Sequence, residues 1–296
     1  MKKLTLSLLC AGLITTVSFA KDPCDATYQA QNYEQAAVCY INQLKKERTF
    51  NNLASAGTSY SRLGRYKEAL PYLKEAEKKA ITSLDYTIIY SWLGNVYANS
   101  GDSVQELAYS MKFLDLSLKS GDRKNIGSAY SNLGEYYRKQ KQLQKALEYY
   151  EKALEYKDES ERTTTYGNMA VTYNDLKNYP KAEEMHQKSV EIDQKTGDYN
   201  ALGTHKTELG SFYFGQNRYT DARKTLEEAQ TISHNAGNIT SEAHSLSILS
   251  VIDYHEGHIN KAKEKAAEGL RLAKQSGATG ALLDDAQYAW NLVNGK

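Results

Sequence analysis

The sequence predicts an all-α fold, a solenoid of stacked antiparallel helix pairs, on two observations. The first is a small residue followed one turn later by Tyr. It reads Ala56-Gly57 with Tyr60, Leu93-Gly94 with Tyr97, and Leu133-Gly134 with Tyr137. It continues as Met169-Ala170 with Tyr173, Leu209-Gly210 with Tyr213 and, more weakly, Leu249-Ser250 with Tyr254. The small residues stand at 57, 94, 134, 170, 210 and 250, in steps of 37, 40, 36, 40 and 40. A repeat of this length marks units that stack because none can bury its apolar face alone.

The second observation is a stripe behind each of these first helices. Its members are Tyr66, Ala69, Leu73 and Ala76; Leu143, Ala146, Tyr150 and Ala153; Tyr179, Ala182, His186 and Ser189; Tyr219, Ala222, Leu226 and Ala229; and Ile259, Ala262, Ala266 and Gly269. Steps of three and four keep each set on one helix face. Small and large residues alternate, so that facing helices interlock, with Gly or Ala at the closest approaches.

Taken in order, residues 1–20 read as a secretory signal peptide. Lys2 and Lys3 are basic, Leu4 to Val17 is mostly apolar, and Ser18-Phe19-Ala20 fits a cleavage site. The apolar run is too short to span a bilayer comfortably. One solenoid over 21–296 is expected to follow, opening with a half-sized capping repeat at 22–49. There Asp22-Pro23 supplies an N-cap and a Pro at the first helical position. Six full units then run at about 50–83, 87–124, 127–160, 163–200, 203–240 and 243–280, and a capping helix covers about 282–294. Four units close on Gly: Ser120-Gly121-Asp122, Thr196-Gly197-Asp198, Ala236-Gly237-Asn238 and Ser276-Gly277-Ala278. Between Gly101 and the stripe Val104, Leu107, Met111 and Leu114 the spacing suggests one extra residue. Pro71 falls inside a second helix, where it should bend the helix locally.

Export would make Cys24 and Cys39 a candidate disulfide. Cys24 lies eight residues before Asn32 and Cys39 seven after it, so a hairpin turning there sets them opposite each other. The alternative is two buried free thiols. Loss of Lys2 and Lys3 takes the formal charge from +1 to −1. Near-neutrality without a basic run lacks the electrostatic footprint of a nucleic-acid binder.

Tyr130, Leu133, Gly134, Tyr137, Ala146, Tyr150 and Ala153 stand in an order that resembles the tetratricopeptide repeat. Tyr90, Leu93, Gly94 and Tyr97 match its first helix, and Gly64, Tyr66, Ala69 and Ala76 its second. The likeness covers about residues 25 to 280 and is similar to the long, near-40-residue variant. It departs at Asp253, where Tyr is expected, and in lacking Pro at the unit ends. It implies a right-handed superhelix whose first helices line a groove for a peptide or partner helix. In one subgroup inward Lys and Arg grip a C-terminal carboxylate; here those places hold Ala54, Ser91, Ser131, Gly167, Thr207 and Ser247, so that clamp is missing.

First-helix residues off the core stripe are the candidate lining: Trp92, Asn95, Asn99, Asn132, Glu135, Arg138, Asn168, Asn174, Glu208 and Phe214. Asn both donates and accepts, so a row of Asn can bond an extended backbone of any sequence. Solvation of an exposed helix face is the competing reading, and for Trp92 it is packing between units. His255 and His258 bracket Glu256-Gly257 at a turn, a spacing that does not put two His on one helix face, so no metal is expected. Lys261, Lys263 and Lys265 read as a solvated face. No nucleophile elbow or P-loop is present, and no cofactor is implied.

These features describe a non-enzymatic scaffold or adaptor, exported to the periplasm of a Gram-negative bacterium or secreted. It would bind a peptide segment or helix of a cell-envelope protein in the groove. The alternative is a carbohydrate-binding envelope protein using Tyr, Trp and Asn as sugar platforms. A third reading is self-assembly through the solenoid ends.

Overall fold

The computed structural model describes residues 23–277 and 280–295, so the expected signal peptide (1–20), the expected N-cap Asp22 and Ala278 of the last Gly stop lie outside the described residues. Among the described residues there are fifteen α-helices, one 3-10 turn and no strand. No helix among them is long and apolar enough to cross a membrane. The chain divides between Lys157 and Asp158 into two compact units.

The first unit holds α1 (Pro23–Gln29), α2 (Tyr33–Leu44), α3 (Phe50–Arg62), α4 (Tyr66–Lys79), α5 (Ser83–Ser100), α6 (Ser103–Ser120), α7 (Arg123–Lys139) and α8 (Leu143–Tyr156). The second opens with the 3-10 turn Glu159–Glu161. It continues with α9 (Thr163–Asp175), α10 (Tyr179–Thr196), α11 (Tyr199–Gly215), α12 (Tyr219–Ala236), α13 (Ile239–His255), α14 (Ile259–Gln275) and α15 (Ala281–Val293). Consecutive helices pack as pairs within each unit, α3 lies beside α5, α11 beside α13, and α15 closes on α13 and α14.

Two turn types, each with a local cause, make this arrangement. Within a pair, the seventh residue after the small one adopts the left-handed region: Gly64, Gly101, Lys141, Lys177, Asn217 and Gly257 have φ of 71°, 80°, 59°, 59°, 59° and 81°. Between longer pairs, Gly121, Gly197 and Gly237 close the second helix in the same left-handed region. The next residue then opens the following helix: Asp122, Asp198 and Asn238 accept hydrogen bonds from the backbone N–H groups of Asn125, Ala201 and Ser241. Gly-Asp is thus a stop and a start in two residues.

Packing within a pair follows a size rule across sixteen residues. A Cβ built on Gly57 would come 2.6 Å from Leu73, one on Gly134 2.5 Å from the Tyr150 ring, and one on Gly210 2.6 Å from Leu226. Where the first residue gains a side chain the second changes in turn, as in Ala170 with His186 and Ser250 with Ala266. Gly94 is the exception. It faces Ser110, and a Cβ there would lie at an ordinary 3.5 Å.

This pair corrects the expected α6 stripe. No extra residue follows Gly101: the left-handed Gly101 and the N-cap Asp102 repeat the turn used elsewhere. With the turn unchanged, the helix register is unchanged too. Glu106, Ser110 and Phe113 are therefore buried together with Leu114 of the expected stripe, and Leu107 packs against the cluster of Phe113 and Leu114, while Val104 is 73% and Met111 48% exposed. Glu106 takes the place that Ala holds in neighbouring pairs. Lys139 lies 3.5 Å from it, yet burial still pushes its carboxyl above the usual range.

The abundant Tyr has a structural use in the first unit. Tyr60 stacks on Tyr72, Tyr97 on Tyr109 and Tyr137 on Tyr149, with ring planes within 14° and centroids 5.1–5.8 Å apart. Cations cover several of these rings, including Lys145 at 4.0 Å from the Tyr137 centroid. Pro71 sits inside α4. Cys24 and Cys39 face each other across the α1–α2 hairpin with their Cα atoms 5.4 Å apart.

Candidate peptide-binding faces

In the first unit the candidate residues divide by what they already bond. Trp92 is half-buried against the core, and the Arg62 guanidinium lies 5.1 Å from its ring centroid, so one stacking face is covered. The exposed Asn95 accepts from Ser61 at 3.4 Å, and Asn99 donates to the Asn95 carbonyl at 2.8 Å. Glu135 and Arg138 meet in a forked pair at 2.8 and 2.7 Å, and the Tyr150 hydroxyl donates to the same carboxylate at 3.1 Å. Burial would raise the Glu135 carboxyl, but Arg138, Lys139 and Tyr150 outweigh it and hold it below the usual range. Asn132 is exposed and has no side-chain hydrogen bond among the described residues.

In the second unit Phe214 packs against the core and tilts on Tyr219 at 5.7 Å. The half-buried Asn168 and the exposed Asn174 have no side-chain hydrogen bond among the described residues, and neither does the half-buried Glu208. Asn132, Asn168, Asn174 and Glu208 thus stand uncommitted, while Glu135, Arg138, Trp92 and Phe214 serve packing or internal pairing.

The second unit also holds a polar cluster that the sequence did not reveal. His205 on α11 is 6% exposed and its Nδ1 lies 2.5 Å from Oδ2 of Asp193 on α10, itself 1% exposed. Burial pulls the His205 pKa down, but the Asp193 hydrogen bond and the charges of Glu208, Asp193 and Asp198 raise it above the ordinary value. His186 is 3% exposed, with its Nδ1 unpartnered. Burial, and then the nearby His205, depress its pKa to about 4. The readable signal was His186 itself, standing in the second-helix stripe where Leu or Tyr stands in three other pairs.

Asp253, Glu256 and His258 come within ligand-forming distance of one another. Basic side chains already neutralise the group: Arg223 donates to Asp253 at 2.8 Å and to Glu256 at 2.7 Å, and Lys265 reaches Asp253 at 2.5 Å. This corrects the reading of Lys265 as part of a solvated face. It also explains Asp253 in a Tyr position, because a carboxylate there ties α12 and α14 to α13.

A stack of capped helix pairs with small residues at each crossing defines a helical-repeat protein. More particularly, the chain is built of tetratricopeptide repeats over residues 55–196, since residues 55–109, 85–159 and 162–196 each match profiles described as tetratricopeptide repeat. Solved structures share the fold. One is a signal transduction ATPase with numerous domains, with a tetratricopeptide repeat sensor, from Pyrococcus horikoshii. It is 18% identical at a TM-score of 0.64, over 93% of this chain and 42% of that one, so this chain spans less than half of that protein. Another is aspartyl phosphate phosphatase F from Bacillus subtilis, 17% identical at a TM-score of 0.64, over 95% of this chain and 81% of that one. At these identities the likeness concerns the fold alone. A comparison with curated proteins gives no significant match.

Proposed function

We propose that this chain is a non-enzymatic scaffold or adaptor that holds an extended segment or helix of another protein against its first-helix faces. Tetratricopeptide repeats are protein-binding scaffolds, and the observation that carries the reading here is the set of uncommitted amides. Asn132 and Asn168 occupy matching places in their repeats, and no hydrogen bond within the chain claims either side chain among the described residues. Each can donate to and accept from a peptide backbone without demanding a particular sequence.

The proposed setting is the cell envelope, reached through the signal peptide at residues 1–20, with a peptide of an envelope protein as partner. The glycan alternative has less support, because one face of Trp92 already carries Arg62. The expected result for Asn132→Ala combined with Asn168→Ala is weaker retention of a crosslinked envelope partner, with the melting temperature unchanged. Undiminished retention would overturn the assignment.

Export also calls for the Cys24–Cys39 bridge. Reduction, or Cys24→Ser with Cys39→Ser, should destabilise the α1–α2 hairpin by about 3 kcal/mol on the chain-entropy account. Thiol titration of unfolded, unreduced protein from a periplasmic extract checks this directly. Two reactive thiols would exclude the bridge.

A further inference from the structure

We propose that the crease between α9 and α11 in the second unit binds a cationic side chain, lysine or arginine, of the bound segment. This rests on the peptide-binding reading above and names the chemistry that one position of the peptide would carry.

Gly167, on the face of α9 toward α11, has no side chain. A Cβ there would lie 3.4 Å from Oε2 of Glu208 and 3.6 Å from Nε2 of His205, so the missing side chain lets both groups approach the α9 backbone. Glu208 is one turn beyond His205 on α11, and His205 is held from behind by Asp193. With His205 as imidazolium the trio carries one positive and two negative charges, leaving one negative charge in a mostly buried place.

Several other buried or half-buried carboxylates are matched by a permanent cation, while buried Glu242 pairs with His234. Glu106 has Lys139, Glu135 has Arg138, Glu183 has Arg218, and Asp253 has both Arg223 and Lys265. Glu208 and Asp193 have neither Lys nor Arg as an ion-pair partner among the described residues. Lys206, close in sequence, is committed to Glu228 on α12 at 2.5 Å.

An uncompensated, partly desolvated carboxylate is costly, and burial raises the pKa of Glu208 accordingly. His186 adds a second unbalanced group, an unpartnered ring nitrogen that senses the charge of His205. An ammonium or guanidinium entering beside Glu208 would restore neutrality. Asn168, next to Gly167 and half-buried, stands ready to bond the adjacent peptide backbone.

The test is selection of a random displayed peptide library on the mature chain and on Glu208→Gln. Peptides from the wild type should carry Lys or Arg at one fixed position, and those from Glu208→Gln should not. A synthetic wild-type-selected peptide should bind Glu208→Gln roughly tenfold or more weakly although the variant melts at or above the wild-type temperature. The same peptide with its basic residue replaced by norleucine should bind wild type comparably weakly, which keeps the test open if Glu208→Gln folds poorly. Peptides that bind but lack a basic position, or that bind both variants equally, overturn the inference and leave the groove reading standing. Failure to enrich any peptide overturns both.

Discussion

Alanine at Gly134 is expected to destabilise the protein by about 1–3 kcal/mol, whereas alanine at Gly94 should leave stability unchanged or raise it. The two glycines hold equivalent places in adjacent pairs and look alike in sequence. At Gly134 the new methyl would arrive 2.5 Å from the ring of Tyr150, which is fully buried and hydrogen-bonded to Glu135. That ring cannot withdraw without breaking its hydrogen bond and disturbing the α7–α8 contact. At Gly94 the methyl would meet Ser110 at 3.5 Å, an ordinary contact, and a helix-interior Gly gives way to the better helix former. Urea unfolding followed by circular dichroism measures both variants. Equal losses at the two positions would show that the sixteen-residue size rule does not govern these crossings.

Acidification from pH 6.5 toward 4 is expected to remove up to about 3 kcal/mol of stability through His186 alone. The folded protein holds this ring neutral, with a pKa of about 4, because burial excludes the charged form. The unfolded chain protonates it near the ordinary value of about 6.5. Between those values the unfolded state binds the extra proton, so stability is fully present above 6.5 and falls as the pH drops. His205 works in the opposite sense. Its raised pKa contributes stability below its unfolded value, and that contribution is lost as pH rises through the folded one. His186→Leu removes an unpartnered buried nitrogen and should stabilise the protein by about 1–2 kcal/mol at neutral pH. It should also flatten the acid limb. A His186→Leu variant whose stability falls as steeply as wild type between pH 6.5 and 4.5 would rule out this source.

Most of the local architecture was legible because it has local causes. The 36–40-residue period, the Gly-Asp junctions and the small-to-large alternation each act through neighbours within a turn or across one hairpin. The α6 stripe misled for an instructive reason. Val104, Leu107, Met111 and Leu114 form the more apolar pattern, but the turn at Gly101 sets the register, and the helix buries Glu106 and Ser110 with Leu114 while Val104 and Met111 face out. Apolar content alone would have buried Val104 and Met111 as well. The candidate binding residues were chosen by position, and position could not tell a committed side chain from a free one. Glu135 and Arg138 satisfy each other, while Asn132 and Asn168 satisfy nothing within the chain.

By itself the sequence determined the all-α repeat, because helix faces, caps and left-handed turns depend on residues a few places apart. Only the tertiary structure decided which charges meet: Asp193 with His205, Arg223 and Lys265 with Asp253, and Glu208 with no Lys or Arg among the described residues. Electrostatic pairing depends on distance in space and on exclusion of water. Neither can be read from residues that stand twelve, thirty or more positions apart in the chain.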